Sequence, residues 1–159
     1  MHKENEEKAE EVLEVPEENE IVSERDAKKE PLNCLKVVVI RARRLKAMDR
    51  SGTSDPYVVI SADGETRRTL GKQKTLAPVW LERFQLSVER SEAVARFTVM
   101  DADVMESDDV IGVVSVPLRE LSNELPRRQW FPLEGNSETE DLGELELCLR
   151  WIHEPKFYF

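Results

Sequence analysis

Apolar and polar residues alternate along much of this chain, and the alternation predicts strands. "GELELCLRW" (143–151) shows it best: Leu145, Leu147, Leu149 and Trp151 fall on one side, Glu144, Glu146, Cys148 and Arg150 on the other. A period of two puts successive side chains on opposite faces of a sheet. "RFQLSV" (83–88) sets Phe84, Leu86 and Val88 against Gln85 and Ser87, and "ARFTVMD" (95–101) sets Phe97 and Val99 against Arg96 and Thr98. "LKVVVIRA" (35–42), "PYVVISA" (56–62) and "VIGVVSV" (110–116) are apolar and β-branched, and "QWFPL" (129–133) is short. Asp63-Gly64 after the second of these runs is a two-residue hairpin signal, with "TRRTLGK" (66–72) as the return strand. "REL" (119–121) predicts one helical turn. The fold class is therefore all-β, an eight-stranded antiparallel β-sandwich over residues 32–153.

Residues 1–31 have a different character. They hold twelve acids and five bases, a net of −7, and little apolar material to bury. Such composition predicts an acidic tail, disordered or docked on a partner, with a short helix over 4–15 ended by Pro16. The chain carries −10 in all, so −3 remains for the rest. An acidic total disfavours nucleic acid, and disfavours an anionic membrane unless a cation binds first. No apolar run is long enough to span a bilayer, and the polar, acidic start is neither a signal nor a transit peptide, so a cytoplasmic location is expected. Cys34 and Cys148 fit no disulfide framework or metal spacing and are read as reduced thiols. Residues 154–159 end in Phe157, Tyr158 and Phe159 and are read as an aromatic extension. His153 has no evident partner.

The candidate chemistry lies in two acidic loops. "DADVMESDDVIG" (101–112) places Asp101, Asp103 and Asp109 just beyond a strand end, and "MDRSGTSDPY" (48–57) carries Asp49 and Asp55. If both loops crown one end of the sandwich, five carboxylates converge and repel one another. A hard divalent cation relieves that repulsion. Ca²⁺ accepts six to eight oxygens in loose geometry, whereas zinc would want His or Cys. The alternative is a solvated turn, for which Asp and Gly are common. An EF-hand loop starting at Asp101 is excluded, because its sixth and twelfth places hold Glu106 and Gly112.

Residues 33–152 resemble the C2 domain, a calcium- and phospholipid-binding β-sandwich. The resemblance rests on an ordered set: Ser54-Asp55-Pro56-Tyr57, then Thr75, Pro78, Trp80, Glu82 and Phe84, then Asp101, Asp103 and Asp109-Val110-Ile111-Gly112. It implies that Asp49, Asp55, Asp101, Asp103 and Asp109 hold about two Ca²⁺ ions, with help from the backbone carbonyls of Met48 and Ala102. It also implies one of two circularly permuted topologies. A strand after all the others, and none before Leu35, favours type II, in which the last strand lies beside the first.

From this follow the expected partners. Two calcium ions would turn a negative tip neutral or positive and attract anionic phospholipid, making the protein peripheral on a membrane when calcium is present. Val104 and Met105 at the loop apex, with Arg50, are the expected membrane contacts. Arg67, Arg68, Lys72 and Lys74 form a candidate phosphoinositide patch, with a solvated strand edge as the alternative. Trp80, Phe84, Trp130 and Trp151 are read as packing. No Ser-His-Asp set, phosphate-cradling glycine loop or His pair is present, so the chain is not read as an enzyme. The competing function is a scaffold that uses the fold, the acidic tail through residues 1–31 and the C-terminal extension for protein contacts.

Overall fold

A computed structural model describes residues 12–15, 32–48 and 52–153. The chain divides between Glu30 and Pro31. Of the helix expected over 4–15, only Val12–Val15 can be inspected, and they form none; the rest of the tail and residues 154–159 lie outside the described residues.

Eight strands follow in order: β1 (Cys34–Arg43), β2 (Pro56–Ala62), β3 (Glu65–Arg68), β4 (Val79–Ser87), β5 (Val94–Asp101), β6 (Asp109–Pro117), β7 (Arg127–Pro132) and β8 (Glu144–Ile152). A 3₁₀ turn, Leu118–Leu121, sits where the single helical turn was expected. Two four-stranded antiparallel sheets form, β4-β1-β8-β7 and β3-β2-β5-β6. β8 lies between β1 and β7, an adjacency that both circularly permuted topologies share.

The alternation decides which face is buried. Leu145, Leu147, Leu149 and Trp151 turn inward against Leu35, Val37 and Val39 of the same sheet and Val58, Ile60, Phe97 and Val99 of the other, all almost wholly buried. The hairpin at Asp63-Gly64 forms with both residues at positive φ (49° and 84°), the pair of left-handed residues a tight two-residue turn requires. Strand β3 is shorter than expected. At Thr69 the ladder gives way to a side-chain bond: Thr69 Oγ1 accepts from Val58 N at 2.9 Å, and Thr69 N donates to Val58 O at 2.9 Å.

Two expectations need correction. Glu146 is buried at 6% exposure, because its carboxylate accepts from Arg41 (3.0 Å) and Arg128 (3.3 Å) on the neighbouring strands. The period of two gives a side chain's face but not whether long neighbours will cover that face. His153 does have partners: its ring stacks on Trp151 (4.4 Å between centroids) and Nε2 lies 2.9 Å from Ser122 O.

Gly143 holds the entry to β8. Its φ is +102°, and a Cβ there would lie 2.7 Å from the carbonyl oxygens of both Arg43 and Arg44. That close approach seats β8 against the end of β1. Gly143→Ala is expected to lower unfolding stability by about 2 kcal/mol or more. Phe97→Ala, which empties the centre of the core, is expected to cost about 3–5 kcal/mol. Urea denaturation of both variants beside the unmodified chain checks these values.

Candidate functional site

Three strand ends meet at one pole. Register sets Pro56 opposite Asp101, and Asp101 opposite Asp109, so β2, β5 and β6 bring Asp55, Asp101 and Asp109 to the same edge of their sheet. Asp101 is 7% exposed and accepts a hydrogen bond from Asp55 N at 2.7 Å through Oδ1; Ala102 N donates to Asp55 O at 2.9 Å in return. Asp55 Oδ1 also accepts from Lys74 N at 2.6 Å. Ser54, fully buried, pins the preceding loop by bonding Met48 N and Lys46 O, each at 3.2 Å. Asp49 and Arg50 lie outside the described residues.

The loop between β5 and β6 is organised by its own carboxylates. Asp103 Oδ1 accepts from Met105 N (2.8 Å) and Glu106 N (3.2 Å), closing a local turn that lifts the apex. Val104 and Met105 stand there at 100% and 89% exposure instead of folding back onto the sandwich. At the far end of the loop, Ile111 forms a bulge between the Val99–Gly112 and Met100–Val110 pairs.

Asp108 is a member of this site that the sequence reasoning passed over. It accepts from Asp103 N (2.9 Å) and from the Tyr57 hydroxyl, tying the loop to β2. These bonds, the hydroxyl's first, hold the Asp108 carboxyl below the usual carboxylate range, and the Arg68 guanidinium contributes. The same bond, then burial, raises Tyr57. The available signal was its place beside Asp109 in an acidic run, but only the fold shows that Tyr57 faces it.

The basic residues are less of a patch than their spacing suggests. Arg67 pairs with Ile60 and Arg68 with Val59, so the two turn to opposite faces of β3. Arg68 lies over the Tyr57 ring at 4.0 Å, next to the Asp108 carboxylate, and Arg67 bridges to Glu65 at 3.5 Å. Lys72 and Lys74 follow β3 back toward the pole, their amides bonded to Pro56 O (3.0 Å) and Asp55 Oδ1.

Among the described residues the pole therefore offers carboxylate and carbonyl oxygens, the donor type a hard cation takes. Among the described residues, the side chains as they stand enclose no metal site of three or more acidic, His or Cys groups. The oxygens of Asp55, Asp101 and Asp103 named above are instead satisfied by backbone N–H groups.

Comparison with known proteins gives a family for this arrangement. The C2 domain family model matches residues 33–133. The chain belongs to the C2 domain family. The match stops before β8, although β8 is hydrogen-bonded inside the domain's sheet. Among curated proteins this C2 domain is 39% identical over 127 residues to synaptotagmin-3 of Mus musculus, covering 74% of this chain and 22% of that protein. It is 34% identical over 128 residues to Mus musculus synaptotagmin-2 (76% and 30%) and 33% identical over 119 residues to the Rho GTPase-activating protein gacEE of Dictyostelium discoideum (74% and 21%). It thus spans less than a third of each relative's length. Among solved structures, a single C2 domain of a plant extended synaptotagmin 1 superposes with a TM-score of 0.71 at 26% identity, covering 80% of this chain and all of that one. The calcium-bound pair of C2 domains of extended synaptotagmin 2 gives 0.66 at 26% identity, covering 76% and 46%. Among the described residues no helix is long and apolar enough to cross a membrane.

The Tyr57–Asp108 bond has a defined pH window. Asp108's folded pKa is depressed, so its contribution holds above the usual 3.8 and is lost as pH falls through the lower folded value. Tyr57's is raised, so its contribution holds below the usual 10.0 and is lost as pH rises through the higher folded value. Tyr57→Phe is expected to lower the melting temperature by a constant amount between these limits and by progressively less beyond either. Calorimetry across pH measures it.

Proposed function

We propose that this C2 domain binds phospholipid membranes in response to calcium. Asp49, Asp55, Asp101, Asp103 and Asp109, with the carbonyls of Met48 and Ala102, are its ligands for about two Ca²⁺ ions. The observation that carries the reading is the register of β2, β5 and β6, which gathers Asp55, Asp101 and Asp109 at one pole, with Asp103 in the loop between the last two strands. Carboxylates this close raise one another's energy when no cation is present. Calcium supplies the missing counter-charge, and the oxygens now held by backbone amides are the ones that turn to it.

Calcium acts on the membrane mainly through charge. Residues 32–159 carry −3, so a gain of up to +4, concentrated at one tip, takes their net to +1 and largely cancels the negative charge of the five aspartates there. Lipid phosphate oxygens can fill coordination positions the protein leaves open, so each ligand strengthens the other. Val104 and Met105 enter the bilayer boundary, each contributing roughly 1.5–3 kcal/mol if fully inserted, and Arg50 meets the headgroups. The similar pair of domains from extended synaptotagmin 2 is calcium-bound, which supports this reading. A phosphoinositide site at Arg67, Arg68, Lys72 and Lys74 has less support, because the Asp108 carboxylate sits beside Arg68 and repels an anion there.

Sedimentation with phosphatidylserine-containing vesicles tests the proposal. The unmodified chain is expected to pellet with calcium and stay in solution with chelator, and Asp101→Asn/Asp103→Asn to stay in solution in both. Equal pelleting in all four conditions would overturn it. Val104→Ser/Met105→Ser is expected to weaken calcium-dependent vesicle binding about tenfold or more while calcium titration without vesicles is unchanged.

A further inference from the structure

The two sides of the sandwich are closed by different means. On one side the backbone does it: Val113 N donates to Glu134 O at 2.8 Å and Glu134 N to Val113 O at 2.9 Å. On the other, β4 ends one sheet and β3 the other, and the two strands are not paired. Carboxylates span that gap instead. Glu65 of β3 accepts from Ser87 N of β4 at 2.8 Å. Glu82 of β4 accepts with both oxygens from Leu70 N, just beyond β3, at 3.3 and 3.0 Å. Asp63 in the turn between β2 and β3 accepts from Glu89 N at 3.4 Å and Arg90 Nε at 2.8 Å. Glu82 belongs to the ordered set that carries the C2 resemblance, and its contact here is with an amide of the sheet edge.

Antiparallel pairing turns the backbone groups of a strand alternately to its two sides. Val88 N donates to Asn33 O at 2.8 Å, so Leu86, Phe84 and Glu82, at every second place before it, bond to β1 in the same way. The N–H and C=O of Gln85 and Ser87 therefore face the gap. Ser87 N is covered by Glu65, and Gln85 N has no partner among the described residues. A row of bare groups on a sheet edge is a template for another strand. β3 is a poor template, being four residues long and ending in two arginines. β4 has nine residues.

We propose that β4 is a latent pairing edge for a second copy of this chain, held shut by Glu65 and Glu82. Both carboxylates occupy the path of an added strand: Glu65 ends on an edge N–H, and Glu82 ties the chain after β3 across the gap. The occupant is a second copy because β4 is its own complement. When two copies meet antiparallel about Gln85, each Gln85 exchanges both of its edge bonds with the other. Ser87 N, once uncovered, reaches the second copy's Arg83 O. Ser87 then stands opposite Arg83 and Phe84 opposite Leu86, so no like charges face each other. The two β4-β1-β8-β7 sheets become one continuous sheet.

Sedimentation equilibrium of the full chain over a range of concentrations tests the proposal. The unmodified chain is expected to run as a monomer and Glu65→Ala/Glu82→Ala to shift toward twice that mass as concentration rises. Glu65→Gln/Glu82→Gln, which keeps an acceptor at each place, is expected to stay monomeric. Adding Gln85→Pro to the alanine pair removes the central N–H of the new pairing and should restore the monomer. That N–H makes no bond to β1, so Gln85→Pro alone should leave the fold intact. Exchange of the Gln85 amide, followed by NMR, should slow about tenfold or more where the alanine variant dimerises. Should the double substitution cost the fold, Glu65→Ala alone uncovers Ser87 N and carries the same test. A folded alanine variant that remains monomeric at every concentration overturns the proposal. So does a dimer that survives Gln85→Pro, since the contact then lies elsewhere.

Discussion

The acidic pole depends on one exchange of backbone contacts. Asp101 leaves β5 with its carboxylate turned onto the amide of Asp55, and the Asp55 carbonyl takes the amide of Ala102. This exchange closes the end of the β2–β5 ladder and sets the loop before β2 beside the loop after β5. Asp55, Asp101, Asp103 and Asp109 are placed by it or by the adjoining pairing of Asp101 with Asp109. The arrangement holds like charges close together on a rigid sheet, which is unfavourable. The backbone amides aimed at Asp55, Asp101 and Asp103 answer part of that repulsion, and a cation would answer the rest.

The neighbouring loop is held by bonds of its own carboxylates. Asp103 organises the apex through the amides that follow it, and Asp108 anchors the return through Tyr57. Neither device uses the core. The apex can therefore present Val104 and Met105 to the outside while the strands beneath, packed around Phe97 and Val99, stay fixed. A cation taken up at the pole would therefore meet loop carboxylates borne on a packed sandwich, and would call for little change in fold.

The two sheets also divide electrostatic tasks. The β3-β2-β5-β6 sheet carries the acidic ends and the Arg68–Tyr57–Asp108 contact. The β4-β1-β8-β7 sheet carries arginines stacked on Trp130, with Arg43 at 3.9 Å and Arg41 at 5.2 Å, around a buried Glu146. Guanidinium groups that lie over an indole and pair with the neighbouring carboxylates, Arg41 with Glu146 and Arg43 with Glu144, make a covered surface out of residues usually solvated.

Local pattern alone determined much of this protein. Alternation in "GELELCLRW" and "ARFTVMD" and the Asp63-Gly64 turn are local signals, and local sterics and burial enforce each, so the eight strands were legible. The acidic residues at the strand ends were legible too, because strand ends follow from strand positions. What only the tertiary structure decided were contacts between segments far apart in sequence. Asp108 meeting Tyr57, Arg67 and Arg68 parting to opposite faces, Glu146 vanishing under Arg41 and Arg128, and His153 stacking on Trp151 all depend on cross-strand register or on the loops it brings together. A side chain's face follows from its own strand, but its neighbours follow from which strand is paired alongside and in which register.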